Sequence, residues 1–311
     1  MENTPTESAP VKTLREPKIG IALGGGGAKG SAHIGILRTL EAHGIKISAV
    51  TGASAGSIVG AGYALGLTPD EILKKSEKFN NKKFLRFSNF HLFHESLIKS
   101  SEIEKVIKEL VGEKTFADTK IPFQAIAVDL ESGMEVPLKT GKLWESLRAS
   151  SAIPGIFSPY FLDGRYLVDG GLLNNVPVDL LRENKDIDIV IGVEIGALTS
   201  RQYIAGMIWE RYYHKPEAFK LFPGELTRLK LNFALMLHIL LRSIDIIREE
   251  AQQARYNKAN PDLIIRPEVE GISLLEFDRF KEGVQAGVNA AEAVMPKLLE
   301  LIQKKKDELN K

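Results

Sequence analysis

The sequence contains no cysteine, which excludes disulfide bonds, thiol catalysis and cysteine-based zinc sites. An excess of charge of one sign is also lacking, since 41 Lys and Arg residues face 40 Asp and Glu residues for a net charge of +1. A balanced charge gives no general attraction to nucleic acid, so we expect no nucleic-acid partner. Hydrophobic residues make up 44% and charged residues 26% of the chain, which is typical of a globular protein.

Long hydrophobic runs are missing as well. In the C-terminal half the longest charge-free apolar stretch, Leu231 to Leu241, ends at Arg242 and is shorter than the roughly 20 residues of a membrane-spanning helix. Residues 1–17 are polar, contain three prolines and have no apolar segment, which predicts a flexible tail and not a signal peptide. Residues 18–311 contain no linker-like stretch and predict a single domain. We therefore expect a cytoplasmic protein with at most peripheral membrane contact.

The first third of the chain alternates between strand-like and helix-like segments. The apolar segment 18–23 predicts a buried strand, and it leads into consecutive glycines and a helical pattern that begins at Gly30. A second strand is predicted over residues 45–50, followed by a tight turn and a helix of small residues over 57–65. This order is typical of a parallel sheet covered by helices, so the predicted fold class is α/β with a mainly parallel central sheet.

The glycine loop GGGGAKG over residues 24–30 lies between a strand and a helix, where backbone N–H groups point toward an anion. A nucleotide-binding Walker A loop needs Ser or Thr after the lysine, but Lys29 is followed by Gly30. A dinucleotide fingerprint fits the glycine spacing, yet the next strand ends without the carboxylate that would bind a ribose. A third interpretation is an oxyanion hole, because consecutive glycines let bare N–H groups approach a developing negative charge.

A second motif, Gly52-Ala53-Ser54-Ala55-Gly56, matches the G-x-S-x-G turn between a strand and a helix. The glycines allow a sharp turn that presents the Ser54 hydroxyl, and the positive end of the following helix favours an oxyanion there. A serine nucleophile needs a base. Downstream, His214 and His238 lack any flanking pattern that marks a base, so a carboxylate is the better candidate.

Such a carboxylate occurs in the third motif, Asp169-Gly170-Gly171, at the end of an apolar strand. Alone, this sequence would be a plain turn. Taken together, the three glycine motifs and their order resemble the patatin-like phospholipase family, including bacterial members, over roughly residues 18–177. The resemblance implies a three-layer fold and a metal-free, cofactor-free hydrolase that acts through a Ser-Asp dyad.

The resemblance also implies a role for each motif. Ser54 would be the nucleophile and Asp169 the general base. The amides of Gly25, Gly26 and Gly27 would form the oxyanion hole, and Lys29 would be the basic residue of the loop that binds substrate or an anion. The expected activity is that of a phospholipase A or lysophospholipase on fatty acyl esters. An acyltransferase that uses the same acyl-serine and a nucleotide-binding protein that uses the glycine loop remain alternatives.

The expected partner is a phospholipid or lysophospholipid substrate, and homodimer formation is left open. Phe84, Phe87, Phe90 and Phe93 recur every third residue near two lysines and one arginine, which suits a flap that meets a lipid surface. The apolar helix that starts near Leu231 is a second candidate for lipid or partner contact. Either segment would make the membrane contact peripheral.

Overall fold

The computed structural model describes residues 14–77, 100–196 and 225–311, except 270, 273 and 275. The described residues form an eight-stranded sheet and eight α-helices. The strands are β1 (Ile19–Leu23), β2 (Ile47–Ala53), β3 (Phe123–Asp129), β4 (Glu135–Leu138), β5 (Tyr160–Leu162), β6 (Arg165–Asp169), β7 (Ile189–Val193) and β8 (Leu263–Ile265). The helices are α1 (Ser31–Ala42), α2 (Ala55–Ala64), α3 (Pro69–Glu77), α4 (Ser100–Val111), α5 (Leu143–Ser150), α6 (Val178–Arg182), α7 (Glu225–Ala259) and α8 (Phe280–Leu309).

The sheet has a parallel centre and an antiparallel edge. Its strand order is β5-β6-β3-β2-β1-β7-β8, and β4 pairs with β3 outside this path. Five neighbouring strands are parallel, namely β3, β2, β1, β7 and β8. By contrast, β4 and β6 run antiparallel to β3, and β5 runs antiparallel to β6. The predicted mainly parallel α/β sheet is therefore confirmed.

Helices cover both faces of the sheet, as the alternation of side chains along β1 shows. Ile19, Ile21 and Leu23 belong to the large core cluster that also contains residues of α1, α2 and α8. Ala22 points to the other face and packs in a smaller cluster with residues of α6 and α7. All five residues of β1 are buried, as expected for a central parallel strand covered on both sides. The predicted three-layer arrangement is confirmed.

The register of β3 brings the ends of β2 and β6 to the same height. Ala53, the last residue of β2, pairs with Ile126, and Asp169, the last residue of β6, pairs with the next residue, Ala127. The two strands flank β3, so their ends are separated by two strand spacings, about 10 Å between backbones. Side chains directed toward each other from these two ends can therefore meet.

Two local features follow from residue type. Asp163 and Gly164 form the turn of the β5–β6 hairpin with positive φ values of 48° and 77°, as this dipeptide favours. The last helix, α8, contains Pro296 in its interior. Four residues of the predicted tail, 14–17, are described, and Arg15 bonds to Asp188 and Asn310. Residues 1–13 lie outside the described ones, so the flexible tail and the single domain stay predictions.

Candidate active site

Ser54 lies in a sharp turn between β2 and α2. Its φ of 50° is in the left-handed region, which L-residues rarely adopt and which costs of the order of 1–3 kcal/mol. The Ser54 N–H donates to the Ser150 hydroxyl at 3.0 Å, so the strained turn is held from α5. Only 4% of Ser54 is exposed to solvent. The turn predicted from the sequence thus holds Ser54 in a fixed and sheltered position.

Gly56 permits the close packing on which this turn depends. A Cβ atom at residue 56 would lie 2.1 Å from the carbonyl oxygen of Leu23, the last residue of β1. No side chain fits at that distance, so only glycine lets the start of α2 rest on the end of β1. This contact places Ser54 beside the glycine loop, which follows directly after β1.

Asp169 ends β6 and lies within hydrogen-bonding reach of Ser54. Its carboxylate accepts the N–H of Gly171 at 2.8 Å and a hydrogen bond from the Ser54 hydroxyl. Burial raises the pKa of Asp169 to about 6, while the hydrogen bonds from Ser54 and Gly171 and the positive charge of Arg248 oppose this rise. The carboxylate is therefore ionised at neutral pH and far more basic than a solvated aspartate.

The second glycine after Asp169 keeps space open between the carboxylate and a neighbouring amide. A Cβ on Gly171 would lie 2.8 Å from the Asn175 Oδ1 and 3.0 Å from the Asp169 Oδ1. A side chain there would push apart the groups that surround the carboxylate. The Asp-Gly-Gly sequence is thus required by packing at the site and is more than a turn.

The glycine loop approaches the same two residues, but its glycines line two different cavities. Gly25 and Gly26 line the cavity that contains Ser54 and Asp169, whereas Gly27 lines a neighbouring cavity. The N–H of Gly25 donates to the Asn175 Oδ1 at 3.1 Å. Lys29 is buried and is not among the described residues that line the cavity of Ser54. Its predicted role in binding substrate or an anion stays a prediction.

His33 is hydrogen-bonded to the start of the glycine loop. It is fully buried on α1, and its Nε2 lies 2.7 Å from the carbonyl oxygen of Gly24. Burial lowers the pKa of His33 to about 4, so the ring is neutral at pH 7. Since a carbonyl only accepts hydrogen bonds, the proton of the neutral ring is on Nε2. His33 therefore anchors the first glycine of the loop and is not positioned as a base for Ser54.

Three further residues complete the site and were not predicted from the sequence. Asn175 accepts hydrogen bonds from the Gly25 N–H and from Arg248, whose Nη1 lies 3.3 Å away. Arg248 is on α7 and pairs with Asp245 at 2.9 Å, and both side chains are buried. An Asp and an Arg three residues apart in an apolar helix were the available signal, because charged residues are rarely buried unless they are paired.

The cavity around Ser54 is small and mostly apolar. Its volume is about 270 Å³, and it is closed on one side by Ile244 and Arg248 of α7. Ile153, Pro154 and Leu172 add further apolar surface. Within the described ranges, no three His, Asp or Glu side chains come together as metal ligands. The cavity can thus hold an ester group beside a serine, an aspartate and glycine amides.

Other predicted features fall where nothing is described. The segment with Phe84, Phe87, Phe90 and Phe93 and the residue His214 lie outside the described residues. His238 lies within α7, but its side chain is outside the description. No helix in the described ranges is long and apolar enough to cross a membrane.

Comparison with known proteins assigns a family to this arrangement. The family model "Patatin-like phospholipase" matches residues 21–182, which include Ser54 and Asp169 but not Arg248. An uncharacterized NTE family protein of Mycobacterium tuberculosis is 33% identical over 184 residues, which are 59% of this chain and 51% of that protein. A lysophospholipase of Scheffersomyces stipitis is 28% identical over 290 residues, which are 90% of this chain and 18% of that protein.

A solved structure was also matched. VipD from Legionella pneumophila has a TM-score of 0.48 and 13% sequence identity, covering 91% of this chain and 67% of that chain. The chain spans about half the length of the mycobacterial relative and less than a fifth of the fungal one.

Proposed function

Because this chain belongs to the patatin-like phospholipase family, we propose that it is a serine lipid acyl hydrolase of the phospholipase A or lysophospholipase type. The observation that carries the proposal is that Ser54, in its strained turn, and a buried Asp169 line the same cavity, where the Ser54 hydroxyl lowers the pKa of Asp169 as a hydrogen-bond partner. A lysophospholipase is among its relatives, which supports a lipid ester as the substrate. The proposed substrate is a phospholipid or a lysophospholipid.

In the proposed first half-reaction, Asp169 accepts the proton of the Ser54 hydroxyl while the serine oxygen attacks the ester carbonyl carbon. The carbonyl electron pair moves onto oxygen, and amides of the glycine loop stabilise this charge. One such donor is typically worth about 100- to 1000-fold in rate. The Gly25 N–H can stabilise this charge only if it gives up its hydrogen bond to Asn175. Gly26 also lines the cavity. The tetrahedral intermediate then expels the alcohol, which takes the proton from Asp169.

The second half-reaction regenerates the enzyme. Water attacks the acyl-serine and gives its proton to Asp169, and the Ser54 oxygen leaves and recovers a proton as the fatty acid is released. No histidine is required, because the raised pKa of Asp169, about 6, makes the carboxylate a useful base near neutral pH.

Peripheral contact with a lipid surface is part of the proposal. Along α7, Met236, Ile239, Leu240, Ile246 and Ile247 are each more than half exposed, and they recur at helical spacing. The same helix contributes Ile244 and Arg248 to the cavity of Ser54. A lipid bound to this face would therefore have its ester close to the nucleophile.

Fatty-acid release from lysophosphatidylcholine tests the proposal. The wild type is expected to release fatty acid with a steep rise above the critical micelle concentration, and Ser54→Ala and Asp169→Asn are expected to lose at least 100-fold in rate. Ser132 and Asp129 form a matched surface pair, hydrogen-bonded at 2.7 Å, so Ser132→Ala and Asp129→Asn serve as controls with wild-type rates. Equal release by wild type and Ser54→Ala would refute the proposal.

A further inference from the structure

A second and larger cavity lies next to the catalytic one, since consecutive residues of the glycine loop and of the Ser54 turn line the two cavities. Its volume is about 580 Å³. Gly27, Gly30 and Ala55 form the wall nearest to the site. The remaining wall consists mainly of apolar side chains from α2, α4, the first residue of α8 and the short turn before it: Ile58, Val59, Ile103, Val106, Phe277 and Phe280.

The lining of this cavity selects for an uncharged, apolar ligand. None of the described residues that line it is charged. Of its polar residues, Ser31 already donates its hydroxyl to the Ala28 carbonyl at 3.0 Å. The rings of Phe277 and Phe280 stack with their centroids 6.1 Å apart, which makes a firm apolar wall. Among the described residues, a headgroup or a nucleotide would find no charged partner there, whereas an alkyl chain would contact mainly apolar side chains.

The two cavities meet at the backbone that carries the reaction centre. Ser54 and Gly26 line the catalytic cavity, and the residues that follow them, Ala55 and Gly27, line the apolar one. The catalytic cavity has less than half the volume of the apolar one, about 270 against about 580 Å³. A long chain attached to an ester at Ser54 therefore has more room in the apolar cavity.

We propose that the apolar cavity binds the fatty acyl chain of the substrate and sets the preference for chain length. The inference rests on the proposed function, since it takes an acyl ester at Ser54 as its starting point. Each methylene that enters the cavity should tighten binding by about fourfold, the effect of removing one such group from water. The enzyme should therefore favour long-chain esters over short ones.

Filling the cavity tests the proposal. Val106 is partly exposed in the cavity wall, so Val106→Trp adds a large ring to the space without replacing a core residue. For p-nitrophenyl esters from butyrate to laurate, the wild-type kcat/KM should rise at least tenfold, and Val106→Trp should lower the laurate-to-butyrate ratio at least tenfold. Leu130→Trp is the matched control, since Leu130 is an exposed leucine outside both cavities, and it should keep the wild-type ratio.

Phe280→Ala provides a second variant that acts in the opposite direction. Removing its ring enlarges the cavity and should shift the preferred ester to longer chains. A folded Val106→Trp protein with the wild-type ratio, together with an unchanged preference in Phe280→Ala, would overturn the proposal.

Binding of the fluorescent fatty acid cis-parinaric acid separates this proposal from the proposed function. The wild type should bind the probe, and Val106→Trp should weaken binding at least tenfold while Leu130→Trp does not. Probe binding with this pattern but without ester hydrolysis would support the cavity and refute the hydrolase. Ester hydrolysis by the wild type, with chain-length preference and probe binding unchanged in Val106→Trp, would refute the proposed role of the cavity and leave the proposed hydrolase function intact. If the wild type neither hydrolyses esters nor binds the probe, both proposals are refuted.

Discussion

The hydrogen bond between Ser54 and Asp169 joins a strained backbone to a desolvated carboxylate. The φ of 50° at Ser54 and the burial of Asp169 each oppose folding, and neither is needed to complete the core. Residues under such strain are concentrated at functional sites, where reactivity justifies the loss of stability. The strain at Ser54 and the burial of Asp169 both have a reason if the serine is a nucleophile and the aspartate is its base.

The raised pKa of Asp169 predicts an acid limb in the rate of ester hydrolysis. Asp169 must be ionised to accept a proton, so kcat/KM should fall about tenfold per pH unit below a midpoint near 6 and level off above it. A pH profile with a soluble ester measures this midpoint. A midpoint near 4, the value of a solvated aspartate, would contradict the burial argument.

At the scale of elements, helix α7 illustrates what the sequence can and cannot predict. Its apolar pattern predicts a helix over residues 229–255, and the structure has one over Glu225–Ala259. The pattern does not show which residues pack against each face of the helix. Arg248 reaches Asn175, a residue 73 positions earlier, and only the fold brings them together.

The three glycine motifs could be recognised because each is a short run of neighbouring residues in the sequence. The contact that requires glycine is nevertheless with a distant residue, as at Gly56, where a Cβ atom would collide with the carbonyl oxygen of Leu23. The register of β3, which aligns the ends of β2 and β6, likewise depends on pairing between distant segments. Ser54 and Asp169 could thus be chosen as candidates from sequence, but their hydrogen bond could not be placed.

The position of Arg248 predicts that α7 tunes the dyad. Its positive charge lowers the pKa of Asp169, so removing the charge should move the acid limb to higher pH. Since Arg248→Gln alone would leave a buried Asp245 without its partner, the double variant Arg248→Gln/Asp245→Asn is the appropriate test.

The pH profile of the double variant should have its midpoint above the wild-type value, while Arg248→Lys, which keeps the charge, should stay close to wild type. Unchanged midpoints in a folded double variant would show that Arg248 has only a structural role.

At the scale of the whole molecule, the sheet collects the site from three separate parts of the sequence. The glycine loop follows β1, Ser54 follows β2, and Asp169 ends an antiparallel strand that reaches the same edge from the other direction. Helix α7 then closes the cavity from outside the family-matched region of residues 21–182. The region that the family model matches contains Ser54 and Asp169, and the chain beyond it adds Ile244 and Arg248.

Reaction of the whole protein with a fluorophosphonate, followed by intact-mass and peptide mass spectrometry, tests the proposed Ser54–Asp169 dyad most directly. We expect a single adduct on Ser54, no adduct in Ser54→Ala, labelling at least 100-fold slower in Asp169→Asn, and wild-type labelling in the control Ser132→Ala. An adduct that persists in Ser54→Ala, or labelling of Asp169→Asn at the wild-type rate, would contradict the dyad.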